Sequence, residues 1–177
     1  MIISSPGSLK ARQLGEHAGR LNISFACPAL PIGADDAMAQ IETLIATSPT
    51  SPTLVGSSLG GFYATWLAQR HGLKAVLVNP CVACHDKLAA YVGQIQKNWH
   101  SGEEYRFAAE HAAELDGLRV SVITRPERYL LLAETGDEVL DYREAVAYYA
   151  GARQEVLAGG DHGFTRFAEF LPSILAF

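Results

Sequence analysis

Three residue types that together can cleave an acyl bond occur in order along this chain: a serine between glycines, then an aspartate, then a histidine. The run Gly56-Ser57-Ser58-Leu59-Gly60 fits the pattern G-x-S-x-G, with Gly56, Ser58 and Gly60 at its defining positions. The pattern suits a serine that must sit on a tight turn between a strand and a helix, so that its Oγ stands clear of the sheet. Side chains two positions to either side would collide with neighbouring backbone, which accounts for the glycines. Five residues match such a pattern by chance, and a glycine-rich turn with Ser58 as a helix cap would give the same letters. Context favours the nucleophile: an apolar strand, Thr53-Leu54-Val55, precedes it and a helical run from Leu59 follows. Ser57, the nearby competitor, lacks the glycine spacing. The helix would aim its first amides at the place where an oxyanion forms.

A serine hydroxyl is a weak nucleophile until a base takes its proton, so an imidazole and an orienting carboxylate should follow. The apolar run Tyr129-Leu130-Leu131-Leu132-Ala133-Glu134 leads into Thr135-Gly136-Asp137, and Gln154-Glu155-Val156-Leu157-Ala158 leads into Gly159-Gly160-Asp161-His162. Asp137 and His162 thus each fall just past a strand's carboxyl end, where functional groups gather in open α/β sheets. Glu134, Glu138, Asp141 and Asp161 compete for the acid role. Asp141 reads better as a helix N-cap, and Asp161 adjoins His162 too closely to reach its ring.

These residues need a scaffold, and the chain supplies an alternation of short apolar runs with amphipathic stretches, the pattern of a mostly parallel sheet with helices on both faces. The expected helices are 8–20, 35–47 (with Asp35 or Asp36 near its N-cap), 59–70, 141–150 and 163–177. The expected strands are 22–26, 53–56, 74–79, 129–133 and 154–158. Residues 86–115 read as largely helical, part of an insertion at about 86–125 that would roof the site.

The 177 residues suffice for one domain, and 49% are apolar, enough for a sizeable core. Charged residues make up 19% and the net charge is −5 without basic clusters. That balance argues against a nucleic-acid or anionic-membrane partner, since both attract concentrated positive charge. No run approaches the length of a membrane-spanning helix, and residues 1–12 lack the layout of a secretory signal. Three cysteines (Cys27, Cys81, Cys84) in a chain without an export signal fit reduced thiols and a cytoplasmic location.

The blocks Val55-Gly56-Ser57-Ser58-Leu59-Gly60-Gly61-Phe62-Tyr63-Ala64-Thr65-Trp66-Leu67, Thr135-Gly136-Asp137-Glu138-Val139-Leu140-Asp141-Tyr142-Arg143 and Gly159-Gly160-Asp161-His162-Gly163-Phe164 resemble the YqiA-like family of small bacterial esterases. The likeness spans essentially the whole chain, with Val78-Asn79-Pro80 and Ala145-Val146-Ala147-Tyr148-Tyr149. It implies an α/β-hydrolase fold that cleaves short acyl esters without a metal or organic cofactor, with Ser58 as nucleophile, Asp137 as acid and His162 as base. Members open with an apolar strand running into His-Gly-Phe and then Ser-Ser-Pro, whereas this sequence begins almost at Ser4-Ser5-Pro6. The usual first strand is therefore expected to be lacking, through a start assigned too far downstream or a truncation. One of two oxyanion donors would go with it. Ile2 N–H stands at the corresponding position and Leu59 N–H is the other.

Cys81-Val82-Ala83-Cys84-His85 matches the C-x-x-C-H of covalent haem attachment and also admits a redox dithiol or half a zinc site. The absence of an export signal weighs against haem, and the lack of a second Cys/His pair against zinc. Incidental thiols beside the pocket are expected. Tyr91, Trp99, Tyr105 and Phe107 are candidate walls of an acyl pocket, although core or inter-helix packing is the more ordinary reading of each. The sequence thus reads as a serine carboxylesterase for short- to medium-chain acyl esters or thioesters, small molecules. An impaired hydrolase-like binding protein, or a thiol-redox protein using Cys81 and Cys84, are the alternatives.

Overall fold

The computed structural model describes residues 6–97 and 104–177. Among the described residues four parallel strands form the central sheet in the order β1-β2-β5-β6: β1 is Thr53–Ser58, β2 Lys74–Pro80, β5 Tyr129–Glu134 and β6 Arg153–Leu157. Alternate strand residues enter two separate cores. Leu54, Ala75, Leu77, Tyr129, Leu131 and Ala133 face one layer; Val55, Val76, Val78, Leu130 and Leu132 face the other. The first layer is built from α2 (Ala34–Thr47), α3 (Leu59–His71), α5 (Ala109–Gly117) and α6 (Tyr142–Tyr148); the second from α1 (Leu9–Arg20) and α7 (Leu171–Ala176). Burial on both faces explains why β2 and β5 read as unbroken apolar runs. This is the expected mostly parallel sheet between helices.

Local chemistry sets the ends of these elements. Ser8 caps α1 by accepting from Ala11 N–H at 3.1 Å. Asn22, at φ 55°, closes that helix: its N–H returns to Gly19 and Ile23 N–H to Ala18, the paired bonds of a Schellman stop. The strand expected at 22–26 does not form, since the bonds that would define a ladder have no partner strand there among the described residues. In the described sheet β1 is bonded on one side only, to β2. Helix α2 starts at Gly33 without a side-chain cap, and Glu114 from α5 stands in, its Oε2 accepting from Ala34 N–H at 2.6 Å. Asp35 and Asp36 lie in the first turn, where the helix dipole favours negative charge.

Two further expectations need correction. Residues 86–115 are not largely helical: α4 (Cys84–Ala89) and α5 flank an antiparallel hairpin of β3 (Ile95–Lys97) and β4 (Glu104–Arg106). The alternation Glu104-Tyr105-Arg106-Phe107 has period two, and Gly93 N–H to Phe107 and Phe107 N–H to Gln94 extend the ladder. Nor is 163–177 one helix. A 3₁₀ turn at Phe167–Phe170 precedes α7, which restarts with Pro172 in its first turn, where the missing N–H costs nothing.

Gly56 and Gly19 make contrasting tests of packing. A Cβ on Gly56 would lie 2.0 Å from the Gly60 carbonyl oxygen, whereas one on Gly19, exposed within α1, meets nothing within 4 Å. Urea unfolding should show Gly56→Ala destabilised by about 3 kcal/mol or more, as overpacking at the severe end demands. Gly19→Ala should gain about 0.5–1 kcal/mol from helix propensity.

Candidate active site

Strand β1 ends at Ser58, which takes φ 54° and ψ −120°, and α3 begins at the next residue. A non-glycine residue with positive φ costs on the order of 1–3 kcal/mol and persists only where its surroundings enforce it. Here the Gly56–Gly60 approach and the buried helix behind it do so, and Cys81 N–H fixes the Ser58 carbonyl at 3.1 Å. Leu59, the first residue of α3, has no carbonyl of its own helix for its amide to bond. Ile2 lies outside the described residues.

Parallel pairing in register brings the carboxyl ends of β1, β5 and β6 to one side of the sheet, and the three sequence-predicted residues meet there. His162 Nε2 is 3.0 Å from Ser58 Oγ, and His162 Nδ1 is 2.8 Å from Asp137 Oδ2. Asp137 is 2% exposed at its side chain and His162 22%. Asp137 Oδ1 also accepts from Val139 N–H and Leu140 N–H, each at 2.9 Å. An ionised carboxylate only accepts, so Nδ1 carries the imidazole proton and Nε2 presents its lone pair to the serine O–H.

Three of the four competing carboxylates are occupied elsewhere, while Asp161 leaves its Oδ1 buried without a hydrogen-bond partner among the described residues. Asp141 caps α6 through Arg143 N–H. Glu138 accepts from His162 N–H at 3.0 Å; that bond, after the one to its own amide, holds its carboxyl below the usual range. Glu134 is fully buried and binds Arg166 Nε at 2.8 Å and Asp161 N–H at 2.9 Å. It thereby anchors the loop that carries His162. Gly160 is required beside it: at φ 76°, a Cβ there would sit 2.1 Å from the Glu134 carboxyl. Lys10 adds a further tie through Nζ to Gly163 O at 2.6 Å. Burial draws its ammonium below the ordinary lysine range, opposed by the Asp161 and Glu134 charges.

Sequence reasoning missed this supporting network. Glu134 was visible only as a rival for the acid role, and Asn79 only as the last polar residue of an apolar strand. Their partners lie dozens of positions away, and no local spacing announces them. The proposed pocket walls do not gather. Phe107 is a core residue against His111 at 5.6 Å, Tyr105 packs edge-on to the same ring at 6.3 Å, and Tyr91 is 43% exposed. Trp99 lies outside the described residues. Cys81 and Cys84 are both buried in the core cluster. Interaction with Cys84 holds the Cys81 thiol below its ordinary range, and the same interaction together with burial pushes the Cys84 thiol up. His85 stacks on Phe62 at 6.1 Å. Two thiols turned into the core are poorly placed for haem. Among the described residues no three His, Cys, Asp or Glu side chains gather to hold a metal ion, and no helix is long and apolar enough to cross a membrane.

The Glu134–Arg166 pair yields a measurable asymmetry. Arg166→Ala should cost about 2 kcal/mol, less than for a fully buried pair because the Arg166 side chain is 37% exposed. Adding Glu134→Gln should recover part of that loss, since the uncompensated charge is then removed. Denaturant unfolding of the single and double variants checks both.

Solved structures similar to this chain share its fold at low identity. A putative hydrolase from Agrobacterium vitis S4 aligns at TM-score 0.75 and 16% identity, over 99% of this chain and 85% of that one. The alpha/beta hydrolase domain-containing protein 10 from mouse aligns at 0.77 and 15%, over 99% and 87%. Est1E from Butyrivibrio proteoclasticus aligns at 0.68 and 13%, over 99% and 87%. The sheet order, the strand-to-helix turn at Ser58 and these alignments make this an α/β-hydrolase fold. Residues 3–177 match the uncharacterised protein family UPF0227, and the chain belongs to that family, the YqiA-like one.

Proposed function

We propose that this protein is a serine hydrolase that cleaves short- to medium-chain acyl esters or thioesters through an acyl-enzyme. The observation that carries this reading is the unbroken hydrogen-bond chain Ser58 Oγ–His162–Asp137, at 3.0 and 2.8 Å, on a strained strand-to-helix turn. Similarity in fold to the esterase domain of a Rhodothermus marinus protein supports it, at TM-score 0.68 and 16% identity over 98% of this chain and 82% of that one.

In the proposed reaction Ser58 Oγ attacks the acyl carbonyl carbon as His162 Nε2 takes its proton. Asp137 holds the imidazole in the tautomer that keeps Nε2 free and stabilises the imidazolium that forms. Leu59 N–H faces the developing oxyanion, and losing such a donor would cost about 10²–10³ in turnover. The tetrahedral intermediate collapses, the C–O or C–S bond breaks, and the alcohol or thiol leaves with the proton from His162. Water then attacks the acyl-enzyme with His162 as base, releasing the carboxylic acid and restoring Ser58.

Hydrolysis of p-nitrophenyl acetate and butyrate by the protein and its Ser58→Ala variant tests the reading. Turnover should fall to background in Ser58→Ala, and Asp137→Asn should lose about 10³–10⁴ in kcat because the tautomer is no longer held. Equal rates in the protein and Ser58→Ala would instead favour a hydrolase-like binding protein.

A further inference from the structure

We propose that Asn79 is a positioning residue for His162, a role that rests on the hydrolase reading of Ser58 and His162. Asn79 lies near the end of β2, 3% exposed, at φ 40°. Its carboxamide meets two other strand ends at once. Oδ1 accepts from Glu134 N–H at 2.9 Å, where β5 ends, and Nδ2 donates to Asp161 O at 2.9 Å and to His162 O at 3.3 Å, beyond β6. These contacts admit one amide orientation, because two carbonyls need donors and one N–H needs an acceptor.

The linkage reaches all three reacting residues. Two positions after Asn79, Cys81 N–H holds the Ser58 carbonyl, and Pro80 pairs with Ser58 in the sheet. Glu134 O, at the residue whose N–H Asn79 binds, accepts from Asp137 N–H at 3.2 Å. The His162 peptide is gripped from both sides, its N–H by Glu138 and its C=O by Asn79. Among the described residues, Asn79 is therefore the one side chain whose bonds run from the nucleophile's strand partner to both the acid strand and the base loop. Without the amide, two carbonyls and an N–H in a mostly buried spot would lose partners, and the loop would shift to find water. A reacting pair held at 3.0 Å does not survive such a shift undiminished, since displacements near 1 Å can cost about 10²-fold in rate.

The test compares the full chain with Asn79→Gly and Asn79→Asp. Glycine adopts the positive φ freely, so Asn79→Gly removes the carboxamide alone. Asn79→Asp keeps the shape but turns an acceptor toward two carbonyls. For p-nitrophenyl butyrate, kcat should fall about 10- to 100-fold in both variants with KM within about twofold. The proton NMR signal of His162 Nδ1–H, read without substrate, should shift or broaden while circular dichroism stays native. A folded Asn79→Gly with kcat within about twofold of the parent and an unmoved ring-proton signal would overturn the proposal. If Asn79→Gly does not fold, Asn79→Asp is judged by the same criteria, and failure of both to fold assigns Asn79 to fold maintenance and overturns it as well. Should the parent protein show no Ser58-dependent turnover, the hydrolase reading fails by itself, and the ring-proton signal still decides whether Asn79 positions the imidazole.

Discussion

Ser58 is held in a backbone conformation that serine adopts reluctantly, and much of the surrounding architecture serves to keep it there. Its φ of 54° costs on the order of 1–3 kcal/mol that the neighbouring structure must offset. The parallel ladder to β2 fixes the strand on one side, and α3, buried over most of its surface, fixes the other. Between them the backbone passes so close to itself that only glycine fits at position 56. The turn is thus over-determined, which is the condition for a strained conformation to persist.

A second constraint is the burial of polar groups where three strands end. Glu134 and Asn79 are almost wholly inside, and each would be costly without partners. They are nearly all satisfied, by Arg166, by the Asp161 amide, by the Glu134 amide and by two carbonyls of the histidine loop. Satisfying them leaves little freedom for the loop, so the groups that make the interior expensive also place the imidazole. Fold and site are coupled through hydrogen-bond accounting rather than through any single contact.

The parts of this arrangement that are written locally were legible in the sequence. Ser58 announces itself through glycines two residues away, Asp137 through the apolar strand just before it, and His162 through the short strand and paired glycines that precede it. The strands β2 and β5 were found because burial on both faces makes them continuous apolar runs. Legibility failed where structure depends on distant partners. The hairpin β3–β4 read as helix because short alternating stretches among alanines and charges fit either period. The stretch at 22–26 read as a strand from its composition, but pairing, not composition, makes a strand. Phe107 admitted a pocket-wall reading beside the more ordinary core one and is core, since an aromatic's destination is set by tertiary packing. Asn79 carried no signal, because its three partners lie 55 to 83 residues further along the chain.

The central claim is that Ser58 is an activated nucleophile, and covalent labelling with a fluorophosphonate followed by peptide mass spectrometry tests it most directly. The account predicts one adduct, on Ser58, whose formation slows by orders of magnitude in His162→Ala. No adduct on the folded protein, or labelling at Ser58 indifferent to the loss of His162, would contradict it.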